Sequence, residues 1–140
     1  VDPMRVVLDT GILIAALITT DTPPALIYQA WRKKRFELIT SDWQLDEFRR
    51  VSRYSKLRRF LKPGEAGNLV NGLRLQATVL EVLPTVDLSP DPDDNPVLAM
   101  AKASQAQYLA TGDNRDLLAL DTIGGTHIVT ARQFVDALGI

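Results

Sequence analysis

Apolar residues along this chain fall into short continuous runs that alternate with stretches of three-to-four-residue spacing. Arg5-Val-Val-Leu8 is β-branched and apolar and ends abruptly on Asp9, the pattern of a buried strand that delivers a carboxylate at its end. Gly11 punctuates the turn, and Ile12 to Ile18 opens a helix. Pro23-Pro24 starts another, with Leu26, Ile27, Ala30 and Trp31 at helical spacing. Phe36 to Thr40 reads as a second strand, after which Ser41 or Asp42 caps a helix running to about Tyr54. Ser55 to Leu61 reads as a short basic helix broken at Pro63-Gly64, then Glu65 to Ala77 as a helix and Val79 to Leu83 as a strand.

An acidic, proline-rich loop follows, Ser89-Pro-Asp-Pro-Asp-Asp-Asn-Pro96, and Pro96 suits the first turn of a helix continuing through Ala103. Tyr108 to Thr111 is a fourth strand, Gly112-Asp113-Asn114 a turn, and Leu117 to Leu120 a short helix. His127 to Val129 is a fifth strand, and Thr130 caps a closing helix to Leu138. Strands alternating with helices imply a parallel sheet covered on both faces, and strands that are apolar throughout agree with burial on both sides. The expected fold is a three-layer α/β/α sandwich with a central parallel sheet of about five strands, one domain over residues 4–140. Val1-Asp2-Pro3 ahead of Met4 reads as the remnant of an expression tag.

Composition narrows the chemistry. The chain has 140 residues and no cysteine, which removes disulfides, thiol nucleophiles and thiolate metal sites. The longest apolar stretch, Ile12 to Ile18, is too short to cross a bilayer, so a cytoplasmic location without membrane contact is expected. A net charge of −1 conceals a strong asymmetry. From Arg32 to Lys62 there are eleven basic and four acidic residues, a net of +7, against −8 for the remainder. That arrangement places an anion-attracting surface beside an acidic pocket, or simply keeps a pair of helices solvated.

In an open parallel sheet, ligands bind beyond the carboxyl ends of the strands. Asp9 and Asp113 fall there. Glu47 is in line with Trp43 and Val51 and so borders the apolar face of its helix, whereas Asp46 is in line with Arg49 and Arg50 as a surface ion pair. Asp94 is nearest the apolar start of the helix after the acidic loop; Asp91 and Asp93 read as loop and cap residues. Asp116 reads equally as a further member of the cluster or a helix cap. Several carboxylates in one small pocket need a cation, and oxygen-only ligation with a single histidine points to Mg²⁺ or Mn²⁺.

Two other readings of the acids are set aside. Asp9-Thr10-Gly11 spells an aspartic-protease loop, but that chemistry needs two such loops in an all-β fold. A receiver-like phosphoacceptor domain would want a lysine after its last strand, and none follows the fifth. His127 lies in a strand as a structural residue.

The pieces Val-Val-Leu-Asp9-Thr10, Glu47 in Leu-Asp-Glu-Phe, Asp94 in Asp-Pro-Asp-Asp-Asn-Pro-Val-Leu-Ala-Met-Ala, and Tyr-Leu-Ala-Thr111-Gly-Asp113 cover nearly the whole chain. In order and content they resemble the PIN-domain family, and within it the VapC-like toxins of toxin–antitoxin systems. The resemblance implies metal-dependent hydrolysis of RNA. Its four acids carry over onto Asp9, Glu47, Asp94 and Asp113. Asp9, Asp94 and Asp113 are then metal ligands, and Glu47 either binds metal or orients the attacking water. Thr111 matches the small hydroxyl residue beside the fourth acid and is expected to contact substrate, and Arg49, Arg50 and Arg53 are placed to hold the RNA backbone. Gly11 departs from the pattern, standing where Asn or Ser is common. A cognate antitoxin is implied as partner. The resemblance, together with the apolar excess on Ala25–Trp31, suggests a homodimer through the early helices. Trp31, Trp43 and Tyr54 are the aromatics that either stack a base or fill the core. The alternative function is a non-catalytic module that binds nucleic acid or a partner.

Overall fold

The computed structural model describes residues 3–62 and 64–140. Val1, Asp2 and Pro63, and with them most of the expected tag remnant and the proline of the expected helix break, lie outside the described residues.

Six strands form one sheet: β1 (Arg5–Leu8), β2 (Glu37–Ser41), β3 (Thr78–Leu80), β4 (Tyr108–Thr111), β5 (Thr122–Ile123) and β6 (Thr126–Thr130). Their spatial order is β3-β2-β1-β4-β6-β5, parallel at every pairing except the last, where β5 runs antiparallel to β6. β5 is the strand beyond the expected five. It exists because Gly124, at φ +56°, and Gly125 close a two-residue hairpin between Ile123 and Thr126. The third strand stops at Leu80 rather than Leu83, since Val82 is already 85% exposed.

Eight helices among the described residues cover the sheet: α1 (Thr10–Ile18), α2 (Pro23–Arg32), α3 (Asp42–Ser52), α4 (Ser55–Arg58), α5 (Glu65–Gln76), α6 (Asn95–Ser104), α7 (Arg115–Leu120) and α8 (Ala131–Leu138). The alternation of side chains along a strand divides the interior in two. Val6 and Leu8 of β1 join Ile27, Leu45, Phe48, Leu73 and Phe134 on one face. Val7 joins Ile39, Leu98, Met100, Leu109 and Leu117 on the other. The result is the expected α/β/α sandwich. Ser41 caps α3 by accepting the Gln44 N–H, and Thr130 caps α8 in a capping box with Gln133.

The apolar excess of α2 faces inward. Ala25, Ile27, Ala30 and Trp31 are all buried, the last three in the first core cluster, and Leu26 and Tyr28 of the same helix are partly buried against that cluster. No single helix is long and apolar enough to cross a membrane.

The strand order positions the site. From β1 the chain steps outward through β2 to β3, and then returns to the opposite side of β1 with β4. β1 and β4 therefore flank the point where the winding direction reverses. Ligand crevices of open α/β sheets lie beyond the carboxyl ends of the strands at such a point.

Candidate active site

Asp9 is the residue after β1, and its backbone N–H donates to the Ala110 carbonyl of β4 at 2.9 Å. This pins its carboxylate across the crevice from Thr111, whose hydroxyl donates to Asp9 Oδ2 at 2.9 Å. Thr111 is fully buried, so it positions Asp9 and does not reach a substrate. Burial holds the Asp9 carboxyl above its ordinary pKa of 3.8; the Thr111 hydrogen bond opposes that rise, and the nearby charge of Asp94 adds to it.

Asp94 stands at the start of α6 and is 8% exposed. It does not cap that helix with its side chain. Its Oδ2 accepts the Ser89 hydroxyl at 3.1 Å and its Oδ1 accepts the Asn114 amide at 2.8 Å. Asn95 ties down the preceding loop by accepting the backbone N–H groups of Leu88 and Ser89, both at 3.1 Å. One carboxylate oxygen each of Asp91, Asp94 and Asp116 lie within 4.8 Å of one another. Asp91 also accepts the Asp93 N–H, so its cap role and its place in this group coexist.

Asp116 has no cap role to explain it. Asn114 caps α7 by accepting the Leu117 N–H, and Asp116 follows in the first turn. Asp113, on the other side of that cap, is exposed, stands outside this group and makes no side-chain hydrogen bond among the described residues.

Glu47 enters from α3 at the edge of the buried face formed by Gln44, Leu45 and Phe48, its side chain 23% exposed. The Thr10 hydroxyl donates to Glu47 Oε2 at 2.5 Å. A buried amide braces this contact: Gln44 Nε2 donates to the Leu8 carbonyl at 2.7 Å and approaches Thr10 Oγ1 at 3.4 Å, while Gln44 Oε1 accepts from Thr40 at 2.7 Å. Burial raises the pKa of Glu47 above its ordinary 4.5; the Thr10 hydrogen bond and Arg50 lower it, and the charges of Asp9 and Asp93 raise it.

Sequence reasoning missed Thr10, Gln44, Ser89 and Asn114. A hydroxyl directly after Asp9 was visible, but its partner 37 residues away was not. Gln44 is one turn from Ser41 in a helix of mixed polarity, where a solvated amide is the ordinary reading.

Asp91, Asp94 and Asp116 therefore form one compact group. Asp9 and Glu47 stand outside it but close enough that Asp94 raises the pKa of Asp9 and Asp9 that of Glu47. Among the described residues the cation nearest to any of the five is Arg50, 4.0 Å from Glu47 Oε1. Among the described residues Asp9, Asp91, Asp94 and Asp116 have no ion-pair partner. A divalent cation would relieve that repulsion, and an oxygen-only donor set fits Mg²⁺ or Mn²⁺.

The basic segment is not one surface. Arg32 donates to Gln76, and Arg35 donates to the Leu138 carbonyl, both away from the acids. Arg50 donates to the Tyr54 hydroxyl at 2.8 Å beside Glu47. Arg49, which pairs with Asp46 at 3.4 Å, and Arg53 line a separate hollow of about 330 Å³ together with Arg58 and Lys62. His127 is exposed against the Tyr108 ring, and its register partner Tyr108 begins β4, at the end of the sheet opposite the acids.

A family model described as PIN domain matches residues 5–115. The match takes in Asp9, Glu47, Asp94 and Asp113 and ends one residue before Asp116. No curated protein matches the sequence.

Proposed function

Since this chain belongs to the PIN domain family, a family of nucleases in general, we propose that it is a divalent-metal-dependent endoribonuclease and the toxin of a toxin–antitoxin pair. The observation that carries this reading is the group of Asp91, Asp94 and Asp116, with Asp9 and Glu47 beside it at the switch point of the sheet and Arg50 as the nearest cation among the described residues.

In this reading Asp9, Asp94 and Asp116 hold Mg²⁺ or Mn²⁺, with Asp91 beside them and Asp113 available from the same turn. A metal held there would supply acidification of a water and charge neutralisation for the leaving group. Thr111, Ser89 and Asn114 fix the ligand carboxylates in place. Glu47 has Oε2 tied by Thr10, which leaves Oε1 to accept the proton of the attacking water. Its raised pKa brings its basicity closer to neutral pH. Arg50 at the rim, and Arg49, Arg53, Arg58 and Lys62 around the neighbouring hollow, hold the phosphates on either side of the cut.

The test is incubation of assorted RNAs with the protein, with Mg²⁺, with Mn²⁺ and with EDTA, followed by mapping of cut sites. Cleavage in either metal, lost in EDTA and in Asp94→Asn, is the expected result. RNA binding without cleavage under all conditions would instead favour a non-catalytic binding module. The toxin role predicts growth arrest on expression, relieved by Asp94→Asn.

A further inference from the structure

Beside the acidic centre lies a cavity of about 490 Å³, lined by Trp43 of α3, Leu83 of the segment after β3, Pro92 in the turn before α6, and Pro96 and Ala99 of α6. Its size falls within the roughly 300–1,000 Å³ of small-molecule sites. We propose that this cavity binds an unstacked nucleobase of a single-stranded RNA, with the indole of Trp43 as the stacking face; the inference rests on the nuclease reading given above.

Three observations support this occupant. The cavity shares its elements with the acids: Trp43 is one helical turn before Glu47, and Pro92, Asn95 and Pro96 bracket Asp94. A strand whose phosphate meets the carboxylates thus brings a neighbouring base to this opening. No lysine or arginine lines the cavity, so it offers nothing to a phosphate. Its polar groups suit a base edge instead. The Glu81 carboxylate is an acceptor, and the Asn95 amide has spent Oδ1 on two backbone N–H groups and donates to no partner among the described residues. Of the three candidate aromatics, Trp31 is buried in the core and Tyr54 takes a hydrogen bond from Arg50, whereas Trp43 is only partly buried and opens onto the cavity.

Single-stranded RNA bases stack on aromatic side chains, and loss of one such contact weakens binding about tenfold. The chain has two tryptophans, so indole fluorescence reports directly on the site. The wild type, Trp43→Phe and Trp43→Leu are titrated with a mixed-sequence RNA octamer and with the same octamer in duplex form, affinities of all three being read by filter binding of the labelled RNA beside the wild-type fluorescence, and cut sites are mapped in parallel. The single strand should quench wild-type fluorescence and the duplex should not. Trp43→Leu, which keeps apolar volume but no ring, should bind about tenfold more weakly and lose the base preference at one position beside the cut. Trp43→Phe should keep both. Equal binding and unchanged cut sites in Trp43→Leu, or equal quenching by the duplex, would overturn the base subsite while leaving the nuclease reading intact. Single-strand quenching lost in both Trp43 variants, with no cleavage by the wild type, would support the base site and count against the nuclease reading.

Discussion

The Thr10 hydroxyl donates to Oε2 of Glu47 at 2.5 Å, tying the first residue of α1 to the middle of α3 beside the end of β1. Asp9 and Glu47, 38 positions apart in the sequence, are thereby held on one scaffold, because Thr10 is the immediate neighbour of Asp9. The contact also favours the charged form of Glu47, since donating to the carboxylate opposes the rise that burial causes.

Thr10→Val removes this hydroxyl at nearly constant shape. Glu47 should then titrate higher still, moving the acid limb of the pH profile of kcat/KM upward and reducing activity by about 10–100-fold. Thr10→Ser should restore both. Stability should fall by about 1–3 kcal/mol, because a partly buried carboxylate loses its donor and Gln44 loses a weaker contact.

The raised pKa of Glu47 makes a prediction about stability without metal. A carboxyl whose folded pKa is raised keeps its proton where the unfolded chain has lost it. Folding then takes up protons, and stability falls as pH rises from the ordinary 4.5 through the folded value. Glu47→Gln, which keeps an acceptor for Thr10, should therefore melt higher than the wild type at pH 8 in EDTA. The gain should shrink toward zero as pH falls below the ordinary value. A gain that grows on acidification would show that the sign is wrong.

Much of this site was legible in the chain, for reasons that differ by residue. Asp9 stood out because Val-Val-Leu has no structural need to end in a charge, and Glu47 because helical spacing put it on the edge of the apolar face. The fold followed from alternating strands and helices with recognisable caps at Ser41 and Thr130. What escaped depends on pairing in space. Periodicity on α2 shows an apolar stripe but not whether it meets the core or a second molecule, and here it meets the core. β5 is two residues long, too short for a periodic signal, although Gly124-Gly125 marked its hairpin. Gln44 reads as a solvent-facing amide until β1 is laid beside it.

The choice between Asp113 and Asp116 turns on where α7 begins. With Asn114 as its cap, Asp116 lies in the first turn beside Asp94, and Asp113 remains in the exposed turn. Asp116→Asn should lower cleavage by orders of magnitude and shrink the Mg²⁺-induced rise in Tm. Asp113→Asn should cost less than about tenfold, a transition-state loss under about 1.4 kcal/mol. Single-turnover rates for both variants at saturating Mg²⁺ check the order; the reverse order returns Asp113 to the ligand set.

Charge reversal separates the two halves of the basic segment. Arg53→Glu with Arg58→Glu should weaken RNA binding and flatten its dependence on salt, since both line the hollow near Arg49. Reversal of Arg35, which is bound to the Leu138 carbonyl, should leave the salt slope unchanged. Binding titrations across 50–200 mM salt read this out.

Melting of the wild type and Asp9→Asn, each in EDTA and in Mg²⁺, tests most directly whether Asp9 belongs to a metal-binding carboxylate centre. Asn keeps an acceptor for Thr111 and removes a buried charge that Asp94 repels. The variant should therefore melt level with or above the wild type in EDTA, and gain much less from Mg²⁺. If Asp9→Asn melts lower in EDTA and still gains the full Mg²⁺ shift, Asp9 is a structural turn residue and the account is contradicted.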